Sequence, residues 1–217
     1  MGVVTKIVEQ KNNKEKVNIY IDHEFFAGVH KEVIYKLKIE EGIQIDKEKL
    51  ELLIFDENLK RAKNKAFNIL AKTMQSEMLL RDKLSKEGYQ DEIVDSVIEI
   101  LRDYKMIDDE EYAKSYVRNK LNSNKYGKKR IVFELTKRKI SEDIINRVIS
   151  EIEDEKIYEN AVYLAKKKLK SMKDKNKDKI YQKLYQHLAY KGYDYEIIRK
   201  VVNDVLNGEL KFKSLED

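Results

Sequence analysis

The sequence predicts a mainly α-helical protein: three tandem three-helix repeats in an elongated, curved array, with a small N-terminal β-hairpin cap. Three observations predict it. The hydrophobic period is strand-like over the first fifty-odd residues and helical from about residue 57 onward. One helical frame then recurs three times, and a second frame recurs three times downstream of it.

The cap comes first. Val3, Thr5 and Ile7, then Val17, Ile19 and Ile21, alternate with polar residues, and Lys11-Asn12-Asn13-Lys14 lies between them. That is a hairpin pattern. Phe25-Phe26-Ala27-Gly28-Val29 reads as a third short strand and Lys31–Leu37 as a short helix. A hairpin alone is marginal in water, so the cap needs a second surface, and the Phe25-Phe26 pair is the expected contact.

The first helical frame comprises Ala66, Ile69, Leu70 and Met74; Ala113, Tyr116, Val117 and Leu121; and Ala161, Leu164, Ala165 and Leu169. The common spacing i, i+3, i+4, i+8 is one face of a helix, opened each time by Ala, which admits a close neighbour. The second frame is Leu84, Ile93, Val97, Leu101; then Leu135, Ile144, Val148, Ile152; then Leu188, Ile197, Val201, Val205. Its leading leucines lie 51 and 53 residues apart. Helices are expected near 57–73, 76–87, 91–104, 109–122, 127–138, 142–153, 156–171, 177–191 and 195–206. The expected divisions are a cap at 1–55 and repeats at 56–107, 108–155 and 156–217.

Helix ends are marked. Gly88 and Gly192 stand where a helix closes in a left-handed residue, and Lys139 takes that place in the middle repeat. Tyr89, Ile140 and Tyr193 follow and should tuck back onto the preceding helix. Asp108 heads an Asp-x-x-Glu capping pattern, and Ser141 is a good N-cap before Glu142 and Asp143.

Composition restricts function. The 217 residues contain no Cys, Pro or Trp, which excludes disulfides, Cys-ligated zinc and thiol catalysis. The three histidines, His23, His30 and His187, are scattered, and the Asp108-Asp109 pair has a capping explanation. There is no Gly-rich phosphate loop and no Gly-x-Ser-x-Gly. The expectation is a non-enzyme with no cofactor and no metal site. No apolar run approaches the ~18 residues of a membrane span, and no signal-peptide core is seen. A cytoplasmic monomer without membrane contact is expected.

Charge is informative in its distribution. The net charge is only +5, but Arg118–Lys139 holds nine basic residues against one acid, and Lys166–Lys183 nine against two. Residues 140–159 hold seven acids against two bases, and residues 86–112 ten against three. Such banding suits partner binding, although any single Lys is more simply a solvated side chain. A helix-turn-helix DNA reader would need a basic or polar third helix in the groove. Here those helices open Gln90-Asp91-Glu92 and Ser141-Glu142-Asp143, which phosphates would repel. Non-specific phosphate contact by the basic bands stays open. In the middle repeat, Ile131, Val132 and Leu135 share one face, and Lys129, Arg130, Phe133 and Lys137 the other. Phe133 is then either a residue packed on a neighbouring repeat or the cap, or an aromatic anchor inside a basic rim.

Several stretches resemble the RecX family. Gln75 to Leu84 resembles its Ser-Glu, Leu and Lys-Leu pattern, and Ile107-Asp108-Asp109 with Tyr112-Ala113 its Ile-Asp-Asp then Tyr-Ala. Gly127 with Arg130-Ile131 and Glu134-Leu135 resembles its Gly, Arg-Ile, Glu-Leu run. Thr73, Lys105 and Lys139 depart from it, standing where the family has Arg, Gly and Gly. The resemblance implies a non-enzymatic regulator that binds the RecA recombinase and its DNA filament, limiting strand exchange and ATP hydrolysis in DNA repair. The partner-binding residues expected on this basis and from the basic bands are Lys125, Lys128, Lys129, Arg130, Phe133, Lys137, Arg138, Lys166, Lys167 and Lys170. The alternatives are a non-specific nucleic-acid-binding protein and a generic helical-repeat scaffold.

Overall fold

The computed structural model describes residues 1–172 and 176–213. The chain divides into two compact units, residues 1–74 with 80–106, and residues 75–79 with 107–217.

The first unit opens with strands β1 (Gly2–Gln10), β2 (Asn13–Ile21) and β3 (Glu24–His30), then helix α1 (Lys31–Leu37) and a short strand β4 (Gln44–Ile45). The antiparallel sheet has the order β3-β2-β1-β4. One expectation is corrected here: Val4, not Val3, faces the core, and Val3 is exposed. The cause is a bulge. Val4 pairs with Ile21 and Ile7 with Ile19, and the register shifts between Val4 and Lys6. The extra residue turns the strand over, so the apparent Val3-Thr5-Ile7 alternation straddles two registers.

Helix α2 (Lys47–Lys72) follows, begun by Asp46, whose side chain accepts the Glu48 and Lys49 N–H groups at 3.1 and 3.2 Å. It therefore starts well before the expected residue 57. Its first turns supply the surface the cap needs, since Leu50 and Ile54 are buried with Val4, Val17, Ile19, Ile21, Val29 and Val33. The Phe pair does not play that part. Phe26 is partly buried at the margin of this core, and Phe25 is exposed. Further along α2, Ala62 and Ala66 are fully buried in the first repeat, which is completed by α3 (Glu77–Lys86) and α4 (Asp91–Asp103). Leu84, Ile93, Val97 and Leu101 are buried as expected. Met74 is not: α2 ends at Lys72, and Met74 is half exposed.

The second unit holds α5 (Asp109–Asn119), a π-helical turn (Lys120–Asn124), α6 (Lys128–Lys137), α7 (Glu142–Ser150), α8 (Asp154–Lys170), α9 (Lys177–Tyr190) and α10 (Tyr195–Lys213). Asp108 caps α5 through the Glu110 and Glu111 N–H groups, both at 2.9 Å, and Ser141 caps α7. Leu135, Val148, Ile152, Leu188, Val201 and Val205 are buried as the second frame requires; Ile144 and Ile197 are partly covered. Each fully buried side chain of this size contributes ~1.5–3 kcal/mol. The π turn widens the end of α5, and its Leu121 carbonyl accepts the Nδ2 amide of buried Asn160 at 3.0 Å.

All three repeats close the same turn with the same bonds. Tyr89, Ile140 and Tyr193 donate their N–H to the carbonyls of Leu84, Leu135 and Leu188 at 3.4, 3.3 and 3.2 Å. Gly88, Lys139 and Gly192 sit between, at φ +82°, +60° and +88°. Lys139 keeps the left-handed geometry without being Gly, and Lys105, at φ +53°, does so at the end of α4. The mainly helical, three-repeat prediction with a β cap is borne out.

Candidate functional site

Helix α6 has no side chain to cap its N-terminus. Its first N–H groups go instead to the end of α9. Gly127 donates to the Lys191 carbonyl at 2.9 Å and Lys129 to the Gly192 carbonyl at 3.1 Å. Free donors at one helix start thus meet free acceptors at another helix end, where the positive end of one helix dipole meets the negative end of the other. This junction fixes how α6 presents its outer face.

That face is the one the helical spacing predicts. Phe133 is 48% exposed. Its ring lies 5.5 Å from the Arg130 guanidinium and 4.5 Å from Lys137 Nζ. Arg130 also faces the rings of Tyr126 at 5.7 Å and Tyr190 at 5.8 Å, while Glu134 holds it at 2.9 Å. Cation–ring contacts at such exposed sites stabilise by ~0.5–1 kcal/mol each. Together they hold the aromatic rings in place without burying them. Lys129 is largely exposed, with Asp194 at 3.6 Å.

Beneath this surface, Glu134 binds two arginines. Arg138 reaches its carboxylate at 3.0 Å and its carbonyl at 2.7 Å, and stacks 4.4 Å from the Tyr116 ring. Burial pushes the Glu134 carboxyl up, but the Arg138 hydrogen bond and the charges of Arg130 and Arg138 outweigh it and hold it below its ordinary value. Tyr116 donates to Glu134 at 3.4 Å. Burial, opposed by Arg138 and reinforced by Glu134, pushes its phenol up to about 12.

The expected binding residues fall into two groups. Lys125, Lys128 and Arg138 are engaged within the chain. Lys125 Nζ lies 3.3 Å from Asn160 Oδ1 and 5.0 Å from the Tyr163 ring, its carbonyl accepts the Tyr193 hydroxyl at 2.7 Å, and Lys128 pairs with Asp154 at 2.7 Å. Lys129, Phe133 and Lys137 are exposed on α6, with Arg130 half covered between them. Lys166, Lys167 and Lys170 are exposed along α8. From the second basic band, Lys173, Asp174 and Lys175 lie outside the described residues.

Sequence reasoning missed Tyr190, which is 73% exposed. It lines a hollow of about 660 Å³ with Lys168, Ser171, Lys183, Gln186 and His187, and among the described residues no carboxylate lines it. The same ring faces Arg130. Tyr190 is therefore where the two basic bands, distant in sequence, come together. Burial, with the charges of Lys168 and Lys191, holds His187 below its ordinary value. Tyr190 is two residues before Gly192, whose turn was legible; that this turn meets α6 was not.

Among the described residues, no group of three or more His, Asp or Glu is placed to hold a metal ion, and no helix is long and apolar enough to cross a membrane. Four family domains match the chain. They are the regulatory protein RecX N-terminal domain at residues 2–46 and the first, second and third RecX three-helix domains at 62–101, 108–149 and 154–202. Regulatory protein RecX of Clostridioides difficile (strain 630) is 44% identical over 95% of this chain and 97% of its own length. That of Clostridium botulinum (strain Alaska E43 / Type E3) is 35% identical over 96% and 99%. A crystal structure of regulatory protein RecX superposes with a TM-score of 0.67 at 25% identity, covering 94% of this chain and all of the other. RecX from Lactobacillus salivarius gives 0.64 at 27% identity, over 69% of this chain and 97% of its own.

Proposed function

Since this chain belongs to the RecX family, we propose that it regulates the RecA recombinase by binding the RecA–DNA filament through the α6 surface around Phe133, and that it inhibits strand exchange and ATP hydrolysis without turnover of its own. The observation that carries this reading is the exposed Phe133 ring held between Arg130 and Lys137. An exposed aromatic anchor inside a cationic rim is the composition of a protein-binding hot spot, and the rim suits a partner that bears both acidic side chains and phosphates. Lys129 and Lys137 steer approach, and Lys166, Lys167 and Lys170 extend the positive field along α8.

The test is a titration of this protein into RecA on single-stranded DNA, reading ATP hydrolysis and strand exchange. Inhibition saturating at a fixed ratio to RecA supports the reading. Inhibition that instead follows the DNA concentration favours plain phosphate binding, the second reading. The hollow beside Tyr190, lined by Lys168 and Lys183, is what favours that alternative.

A further inference from the structure

In the first unit, β3 pairs with β2 on one side only. Phe25, Phe26, Ala27 and Gly28 all line one groove of about 450 Å³. A bulge at Phe26 interrupts the pairing with β2, but beyond it Ala27 and Gly28 are successive strand residues that point to opposite faces and still both border the groove, which places it at the strand's edge. Its other wall is α2, through Ile54 and Phe55, and the turn Glu87–Gln90. An unpaired edge with a groove beside it is a template for an added strand.

The charges of the groove select what is added. Glu15, Glu51, Glu87 and Glu92 line it, against Lys16 and Arg61, and Glu87 is already paired with Lys65 at 2.6 Å, which leaves Glu15, Glu51 and Glu92 as its acidic side chains for a partner. Both cations are engaged: Lys16 Nζ donates to the Gly88 carbonyl at 3.0 Å, and Arg61 pairs with Glu32. Among the described residues Glu15 pairs with His30, at 3.9 Å, and burial with the charge of Arg61 holds that imidazole below its ordinary value, which favours its neutral form. His30 also lines the groove and carries a buried Nδ1 without a hydrogen-bond partner among the described residues. Aromatic floor and acidic walls match a segment whose side chains alternate between apolar and basic.

We propose that this groove binds an extended peptide segment, alternately apolar and Lys- or Arg-bearing, as a further strand on the β3 edge. Main-chain hydrogen bonds to β3 supply the attachment; the apolar side chains meet Phe25 and Phe55, and the basic ones meet Glu51 and Glu92. The site lies in the first unit and does not depend on the reading of Phe133.

The experiment is fluorescence anisotropy of a labelled synthetic peptide alternating valine and lysine, titrated with the full chain. Two control peptides are used: one N-methylated at alternate amides, which removes the donors of one edge, and one alternating valine and glutamate. The expected result is saturable binding of the first peptide and loss of both controls. Charge reversal by Glu51→Lys, at an exposed position, is expected to weaken binding at least about tenfold with an unchanged melting temperature. Equal binding of the N-methylated peptide, no effect of charge reversal, or no binding of the valine–lysine peptide each overturns the proposal. So does a dimer in sedimentation equilibrium whose formation abolishes peptide binding, because the edge would then be occupied by a second copy.

Discussion

Gly127 lies so close to Gly192 that a methyl group on it would come within 2.3 Å of the Gly192 carbonyl oxygen. The reverse holds as well: a Cβ on Gly192 would meet the Arg130 backbone nitrogen at 2.3 Å. The two glycines thus set the distance at which α6 docks on the end of α9, and through it the position of the Phe133 face.

Gly192→Ala should destabilise the second unit by about 2–4 kcal/mol, because strain at φ +88° adds to a collision with backbone. Gly88→Ala, at φ +82°, would meet only the end of the Lys16 side chain and should cost about 1 kcal/mol. Urea melts of both variants measure the difference, and equal losses would show that the glycine contact is not tight.

Lys139→Gly should raise stability by about 1 kcal/mol, since the turn already holds a left-handed residue there and Gly adopts it without strain. A shifted urea midpoint with an unchanged slope is the expected readout.

Leu135 is fully buried between α6 and the rest of its repeat. Leu135→Ala should lower stability by about 2–5 kcal/mol. An unchanged midpoint would remove Leu135 from the core.

Rim charges and a central anchor leave different kinetic signatures. Lys129→Glu should slow association with RecA–DNA filaments and flatten its salt dependence. Phe133→Ala should speed dissociation by about 2 kcal/mol and leave the salt slope alone. Stopped-flow binding across a salt series separates them. A Phe133→Ala variant that melts earlier but binds normally would make Phe133 a packing residue.

The Glu134 carboxyl lies below its ordinary value of 4.5 in the folded chain. The native state then binds fewer protons there than the unfolded state. Its contribution is complete above about pH 4.5 and is lost as pH falls through the lower folded value. Glu134→Gln should be less stable than the parent near neutrality, and the gap should close on acidification. Thermal melts from neutral pH downward give the comparison.

Local pattern carried the helical body, because Leu84, Leu135 and Leu188 each sit at the same place in the same turn and are all fully buried. It failed where contacts between distant residues decide. Val4 replaces Val3 because a bulge changes register in mid-strand. The sequence pattern assigns the first turns of α2 to the cap because Leu50 and Ile54 serve the sheet rather than the repeat. On the candidate surface, the outward face of α6 follows from spacing alone, but Tyr190 joins it only through the Gly127–Gly192 contact. No spacing rule predicts a meeting of two turns so far apart in the chain.

The closing bonds of the three repeat turns also bear on how fast each part of the chain acquires its structure. Leu135 and Ile140, like their counterparts, are joined across a few residues, so little loop entropy is lost in making that contact. The sheet must instead bring Gly2 to Ile45 and Val4 to Ile21, and its core waits on Leu50 and Ile54. Low contact order speeds folding. Each repeat turn can therefore form as soon as its own residues are free, whereas the core of the sheet cannot close until the first turns of α2 are made.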